Sequence, residues 1–243
     1  GILQGTNLRN IKLINCMSYI EIAFRGIQLS TATVILTVLL ESTSTSTVRG
    51  LLKQPGGLLL YKQAIFLNLF NHFILGVPVY IIAVVLFCSQ ELLERKSHLL
   101  VKTTLVILIH AVVYYLVHKA FHTYPRLYTF HRFHHRFNVH VPPMAANAVS
   151  CTEYILAYVL PFAIASWILR PNETEFGLAI GTLSFLNLLV HTPFLEPASK
   201  NIMPFIVSTH DHLEHHRRLT TNYASPTINL DWILQRLLEG PKK

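Results

Sequence analysis

Histidine is frequent in this sequence, and nine of its 14 histidines fall into short groups with regular spacing. They form one H-x-x-x-H pattern, two H-x-x-H-H patterns and one histidine on its own. The nine residues are His118, His122, His131, His134, His135, His191, His212, His215 and His216. Spacings of three and four place side chains on one face of a helix, and neutral imidazole is a common metal ligand. Nine imidazoles exceed the three or four ligands of one zinc ion, so the pattern predicts two metal ions. Imidazole binds Zn, Cu, Fe and Ni, so the ligand type alone does not identify the metal.

The other histidines lack this pattern. His72 and His110 lie inside apolar segments without a partner at ligand spacing, which favours structural roles. His98, His140 and His210 lie outside the groups. Two acids inside the last group, Asp211 and Glu214, have two equally good interpretations: they orient imidazoles, or they are solvated charges.

Five apolar segments must position these histidines, at 22–40, 64–88, 99–117, 154–169 and 176–195. The chain is 51% hydrophobic and 13% charged, whereas a soluble domain has about 25% charged residues. A spanning helix needs about 17–25 residues, so the fourth segment is marginal, and polar residues dilute the first. We therefore predict an all-α integral membrane helical bundle of four to five segments with a cytosolic, histidine-rich metal-binding cap. Its expected division is into N-terminal membrane segments, 1–98, and a histidine-box domain, 99–243.

Positive charge indicates the orientation of the bundle. The net charge is +8, and no basic stripe of the kind that binds nucleic acid is present. With alternate loops on opposite sides, the loops 41–63 and 118–153 and the C-terminal tail carry 13 Lys and Arg, against four on the other side. The excess predicts that both histidine-rich segments face the cytosol. Three cysteines without a close pair argue against a disulfide framework.

The order and spacing of the histidine groups resemble those of the fatty acid hydroxylase/sterol desaturase superfamily over residues 99 to 235. Pro143–Ala148 is similar to the stretch after the second histidine box of sterol desaturases, and Asn222-Tyr223-Ala224 is similar to the family's N-Y-G. The chain departs from the family at Asn147 and Ser150, where many sterol desaturases have histidine. Asn187 stands where some hydroxylases have a further histidine ligand, so Asn187 is a candidate tenth metal ligand.

The resemblance implies a non-haem di-iron oxygenase of the endoplasmic reticulum. Such enzymes use O2 to hydroxylate or desaturate a sterol, a terpenoid or a fatty acyl chain. Their two electrons often come from NAD(P)H through cytochrome b5, and a separate partner would have to supply them here. The nine histidines would then bind two iron ions and form the catalytic centre.

Two other functions remain open from the sequence. A membrane protein that binds or transports zinc would use histidines, but it would need polar residues at the centres of its spans, which are largely apolar here. A catalytically degenerate member of the family would bind metal or lipid without turnover, and the Asn and Ser departures motivate that hypothesis.

Overall fold

The computed structural model describes residues 5–89 and 96–239, and their side chains from residue 19 to 89 and from 99 to 239. His98, Cys16 and six of the counted cations (Arg9, Lys12, Arg95, Lys96, Lys242 and Lys243) therefore have no described side chain. The described residues form ten helices and contain no β-strand. In chain order these are α1 Gly5–Thr43, α2 Thr45–Lys53, α3 Gly57–Phe87, α4 Lys96–Thr123, α5 Pro125–His131, α6 Cys151–Leu169, α7 Glu173–Val190, α8 Glu196–Ser199, α9 Thr209–Arg218 and α10 Leu230–Glu239. Short 3-10 turns occupy His134–Arg136, Pro143–Asn147 and Pro193–Leu195.

Five of these helices are long and apolar enough to cross a membrane, which confirms the all-α membrane architecture. The spans are Tyr19–Thr43, Gly57–Phe87, Leu99–Thr123, Cys151–Leu169 and Glu173–Val190. The first apolar segment forms a helix in spite of its polar residues, and the hydroxyls of Thr33 and Thr37 are satisfied by carbonyls one turn back. The fourth reaches 19 residues because Ser150 caps it and adds a turn before the apolar run.

Proline shapes two of the spans. Helix α3 contains a π-helical segment at Phe70–Gly76 before Pro78, and α6 contains one at Tyr154–Val159 before Pro161. A wider turn relieves the clash of a proline ring with the preceding turn and accommodates its missing N–H. The two segments approach each other closely, because a Cβ atom at Gly76 would lie 2.9 Å from the Tyr154 hydroxyl. Glycine at this position therefore lets the two helices meet.

The predicted loop 41–63 is mostly helical in the structure. Helix α1 continues to Thr43, and α2 follows almost directly. The true turn is the Pro55-Gly56 region, where Gly56 has φ +72°, a left-handed conformation that suits glycine.

Contacts between segments show which connections share a side of the bundle. A hydrophobic cluster joins Leu51 of α2, Phe137 and Val141 of the segment after α5, and Leu213 of α9. At the other end, the Ser89 N–H donates to Pro171 O at 2.9 Å, and Arg170 donates to Leu86 O at 3.1 Å. Both histidine-rich segments therefore lie at one end of the bundle, the end where α2 packs.

The charge count needs one correction. Arg25 and Lys102 pair with Glu173 and Glu175 of the first turn of α7, and Arg170 ends α6. All three cations lie at the end opposite the histidines, and the sequence count had omitted them. They reduce the charge bias between the two ends without reversing it.

Candidate metal centre

The nine predicted histidines converge at one end of the bundle in two groups. In each group, one side-chain nitrogen of every member lies within 4.8 Å of those of the others. The five-histidine group consists of His118, His122, His131, His135 and His215, and the four-histidine group consists of His134, His191, His212 and His216. Eight of the nine are buried, and His122 is partly buried.

Each H-x-x-H-H pattern supplies ligands to both groups. His131 at the end of α5 and His135 in the following 3-10 turn belong to the five-histidine group, whereas His134 belongs to the other. On α9, His215 belongs to the five-histidine group and its neighbour His216 belongs to the four-histidine group. Neighbouring residues of a helical turn point in directions about 100° apart, so one H-H pair can face two sites.

The outer ring nitrogens of five histidines are held by oxygen atoms. A carbonyl oxygen can only accept a hydrogen bond, so an Nδ1 atom that bonds to it carries the proton, and the lone pair is left on Nε2. Four Nδ1 atoms bond to carbonyls and one to a carboxylate: His118 to Tyr223 O (2.9 Å), His191 to Asn187 O (2.8 Å), His215 to Thr221 O (2.7 Å), His216 to Phe137 O (2.8 Å) and His131 to Glu153 Oε1 (2.6 Å).

The inner nitrogens face one another. In the five-histidine group, Nε2 of His131 lies 3.0 Å from that of His118 and 2.8 Å from that of His135. In the four-histidine group, Nε2 of His191 lies 3.0 Å from that of His212. Where Nδ1 holds the proton, as in His118, the Nε2 lone pair points at the neighbouring ring, and two such lone pairs that face each other are unfavourable without a cation between them.

Further buried ring nitrogens also indicate a bound cation. Nε2 of His215 and of His216 has no hydrogen-bond partner among the described residues. Burial lowers the pKa of His191 and His215 to about 4, and those of His134, His212 and His216 are also lowered, first by burial and then by neighbouring histidines. The imidazoles are therefore neutral at physiological pH, the form in which histidine binds a metal. The residues fit two divalent cations that prefer nitrogen ligands.

Glu153 is a contributor to the site that sequence reasoning missed. Its buried carboxylate contacts the His131 ring, and Glu153 Oε2 has no partner among the described residues. Ser150 positions it, because the Ser150 hydroxyl accepts the Glu153 N–H at 3.1 Å and starts helix α6. No local spacing links residues 131 and 153. The available signal was a carboxylate at the start of an apolar span, where an acid is costly and usually functional.

The two acids considered from the sequence contact no imidazole of the two groups. Asp211 caps α9 through the N–H and hydroxyl of Ser208. Glu214 pairs with Arg217 and Arg218 at the surface. Asp211 therefore caps a helix and Glu214 forms surface ion pairs, so the structure does not support the interpretation that they orient imidazoles of the two groups.

The asparagines connect the centre to the bundle. Asn187 Nδ2 donates to Ala146 O at 3.2 Å and to Asn147 Oδ1 at 3.3 Å, while its backbone oxygen holds His191. The Asn187 amide is thus bonded to the segment before α6, and its role as a tenth metal ligand stays a prediction. Both Asn147 and Ser150, the departures from the family pattern, have contacts here that position other residues.

The other histidines with described side chains lie outside both groups, as expected. His110 packs on Phe162 with ring centroids 4.4 Å apart, and His210 contacts Glu196. His72 lines a cavity between the spans.

A comparison with protein-family models identifies the family. The model described as fatty acid hydroxylase matches residues 103–236, more than half of the chain. The chain belongs to the fatty acid hydroxylase family. The matched range of this hydroxylase-family chain contains all nine histidines and Glu153. A search of curated proteins and a search of solved structures returned no match.

Removing the Glu153 carboxylate is expected to weaken metal binding. The Glu153→Ala variant loses the acceptor that orients the His131 ring, and loss of such a contact typically lowers metal affinity about 10–100-fold. Glu153→Gln keeps an acceptor oxygen without the charge, so we expect an intermediate loss. Competition with a chelator of known affinity, in detergent, measures both. Glu214→Ala is the matched control and should bind metal like the unmodified chain; equal affinity in Glu153→Ala would contradict the assignment.

Proposed function

We propose that this chain is a membrane-bound non-haem di-iron oxidoreductase that hydroxylates or desaturates a lipid with O2. The observation that carries the proposal is the pair of adjacent, buried imidazole groups with nitrogens facing inward, in a chain of the fatty acid hydroxylase family. The expected substrates are a sterol, a terpenoid or a fatty acyl chain. Electrons would come from NAD(P)H through a separate donor, such as cytochrome b5.

In this proposal the nine histidines hold two irons, one in each group. The groups are adjacent, since the ring centroids of His135 and His216 lie 4.9 Å apart. Bound iron supplies the oxidation of an unactivated C–H bond, which amino-acid side chains cannot perform. The chain's own contribution is to hold the rings by their Nδ1 contacts, to exclude water by burial and to orient His131 of the five-histidine group through the Glu153 carboxyl.

The zinc-transport alternative requires a polar path through the spans. The cavity that leads away from the centre is instead lined mainly by apolar side chains such as Val79, Phe162 and Ile180. The degenerate-member alternative requires the loss of a necessary group, whereas all nine histidines of the pattern are present and converge. Both observations favour the oxygenase.

We place the protein in the endoplasmic reticulum membrane, with the histidine groups on the cytosolic side. The support is the excess of Lys and Arg in the connections and tail at that end. Reductant in the cytosol would then reach the centre, while lipid would enter from the bilayer.

The orientation predicts opposite labelling of two exposed positions in a chain whose native cysteines are replaced by serine. Thr129→Cys lies in α5 near the histidines, and Thr174→Cys lies in α7 at the other end. An impermeant maleimide should label Thr129→Cys once the plasma membrane alone is permeabilised. It should label Thr174→Cys only after the reticulum membrane is dissolved. The reverse pattern would refute the proposed orientation.

Metal analysis should find about two irons per chain after anaerobic purification in detergent and reconstitution with Fe(II). Because His134 and His215 belong to different groups, we expect His134→Ala and His215→Ala each to retain about one iron. Iron and zinc are measured separately by mass spectrometry. Zinc alone after reconstitution would favour the zinc-binding alternative, and no bound metal would remove the basis of the proposal.

Turnover should depend on each of the nine histidines. With NAD(P)H, a reductase, cytochrome b5 and a panel of sterols and acyl lipids, the unmodified chain should consume O2 and form an oxidised lipid. His134→Ala should reduce product formation to background, since it removes a ligand of the four-histidine group. His210→Ala, outside both groups, should retain activity. Full activity in His134→Ala would be incompatible with the proposal.

A further inference from the structure

A cavity lies between the spans α1, α3, α6 and α7. Most of its lining is apolar and includes Leu29, Val79, Phe87, Phe162 and Phe176. Along α7 its lining extends from Phe176 to Ser184, a rise of about 12 Å at 1.5 Å per residue. The cavity therefore has the character and length to receive part of a hydrocarbon chain or ring system.

One end of the cavity lies beside the four-histidine group. Asn147 lines this end, and its Oδ1 accepts from Asn187, whose backbone oxygen holds the His191 ring. His72 also lines the cavity, and its neighbour Asn71 donates to Asn147 O at 3.0 Å. His72 therefore lies at the same end of the cavity as Asn147. Phe87 and Phe176 belong to the opposite end of the bundle.

Most hydroxyl groups of the lining are already bonded within the protein. Ser30 donates to His72 O at 3.0 Å, Thr33 to Leu29 O at 2.9 Å, and Tyr158 to Ala146 O at 3.1 Å. Two side chains at the histidine end differ: Asn147 Nδ2 and His72 Nε2 have no hydrogen-bond partner among the described residues. The two residues are only 6% and 9% exposed, so each carries a buried polar atom that is costly to leave unpaired.

The chemistry of the lining restricts what could pair with them. None of the described residues that line the cavity is Lys, Arg, Asp or Glu. A carboxylate or phosphate would therefore enter without a countercharge, which is strongly unfavourable in an apolar site. A hydroxyl or carbonyl oxygen accepts from an amide N–H, and a hydroxyl can also donate to an imidazole nitrogen.

We propose that this cavity binds a lipid bearing an uncharged oxygen group, a hydroxyl or a carbonyl, which hydrogen-bonds to Asn147 and His72. The inference rests on the proposed function for the reaction, but the binding itself needs no metal. The oxygen group lies at the histidine end and the hydrocarbon extends towards Phe87.

The test is equilibrium binding of matched lipid pairs to the metal-depleted full chain in detergent. One pair is cholesterol and cholest-5-ene, and the other is hexadecanol and hexadecane; within each pair only the hydroxyl differs. We expect the chain to prefer the hydroxylated member of at least one pair by about tenfold, and the responding pair distinguishes a sterol from an acyl ligand. In His72→Phe the preference should fall about three- to tenfold, since one hydrogen bond contributes about 0.5–1.5 kcal/mol.

Two variants control for packing. Phe87→Leu, at the far end, should weaken both members of a pair equally and leave their ratio unchanged. If gel filtration shows that His72→Phe does not fold, two further variants test the site. His72→Gln retains hydrogen-bonding atoms and should keep more than half of the preference for the hydroxylated lipid. Asn147→Leu should reduce that preference. Equal binding within both pairs, or an unchanged ratio in every folded His72 and Asn147 variant, would overturn the inference. If the chain binds two irons but does not prefer the hydroxylated lipids, only the inference about the cavity fails. If the preference is present but no iron binds, only the proposed function fails.

Discussion

Nine neutral imidazoles packed with their nitrogens facing one another are the constraint on which the rest of this structure depends. Nε2 atoms about 3 Å apart cannot hydrogen-bond where both carry lone pairs, and burial prevents their protonation. A protein gains nothing by burying such a cluster for packing alone. The arrangement is favourable with cations between the nitrogens, and much of the remaining architecture holds the rings ready for them.

Three of the five oxygens that hold the rings come from other parts of the chain, and the other two lie within six residues of their histidine. The C-terminal segment supplies two of the five by turning back after α9, where Leu219 and Asn222 adopt left-handed backbone conformations. Asn222 stabilises this return by donating to Asp211 O at 2.9 Å. As a result, Thr221 O reaches His215, and Tyr223 O reaches His118 on the last turns of α4. The tail therefore closes the histidine centre as well as contributing three of its histidines.

The histidine end of the bundle brings buried polar groups next to an apolar cavity. Glu153 is buried beside the histidines, and the asparagines at 71, 147 and 187 bond the segment before α6 to α3 and α7. These amides satisfy backbone groups that would otherwise be unpaired at membrane depth. Asn147 also lines the apolar cavity, so a residue that stabilises the segment before α6 lies between the histidine groups and the space for a hydrocarbon.

The sequence by itself determined the membrane class, four to five apolar segments and the nine histidines, because apolar length and i, i+3/i+4 spacing are local properties of a helix. It also placed the histidines at one end, since alternating spans return the chain to the same side. Only the tertiary structure decided how the rings divide into two groups, as His134 and His135 separate although they are adjacent. It likewise revealed Glu153 and the contacts of Asn147, and it showed that Asp211 and Glu214 serve α9 and the surface. These outcomes depend on contacts between residues far apart in the chain, which no local spacing encodes.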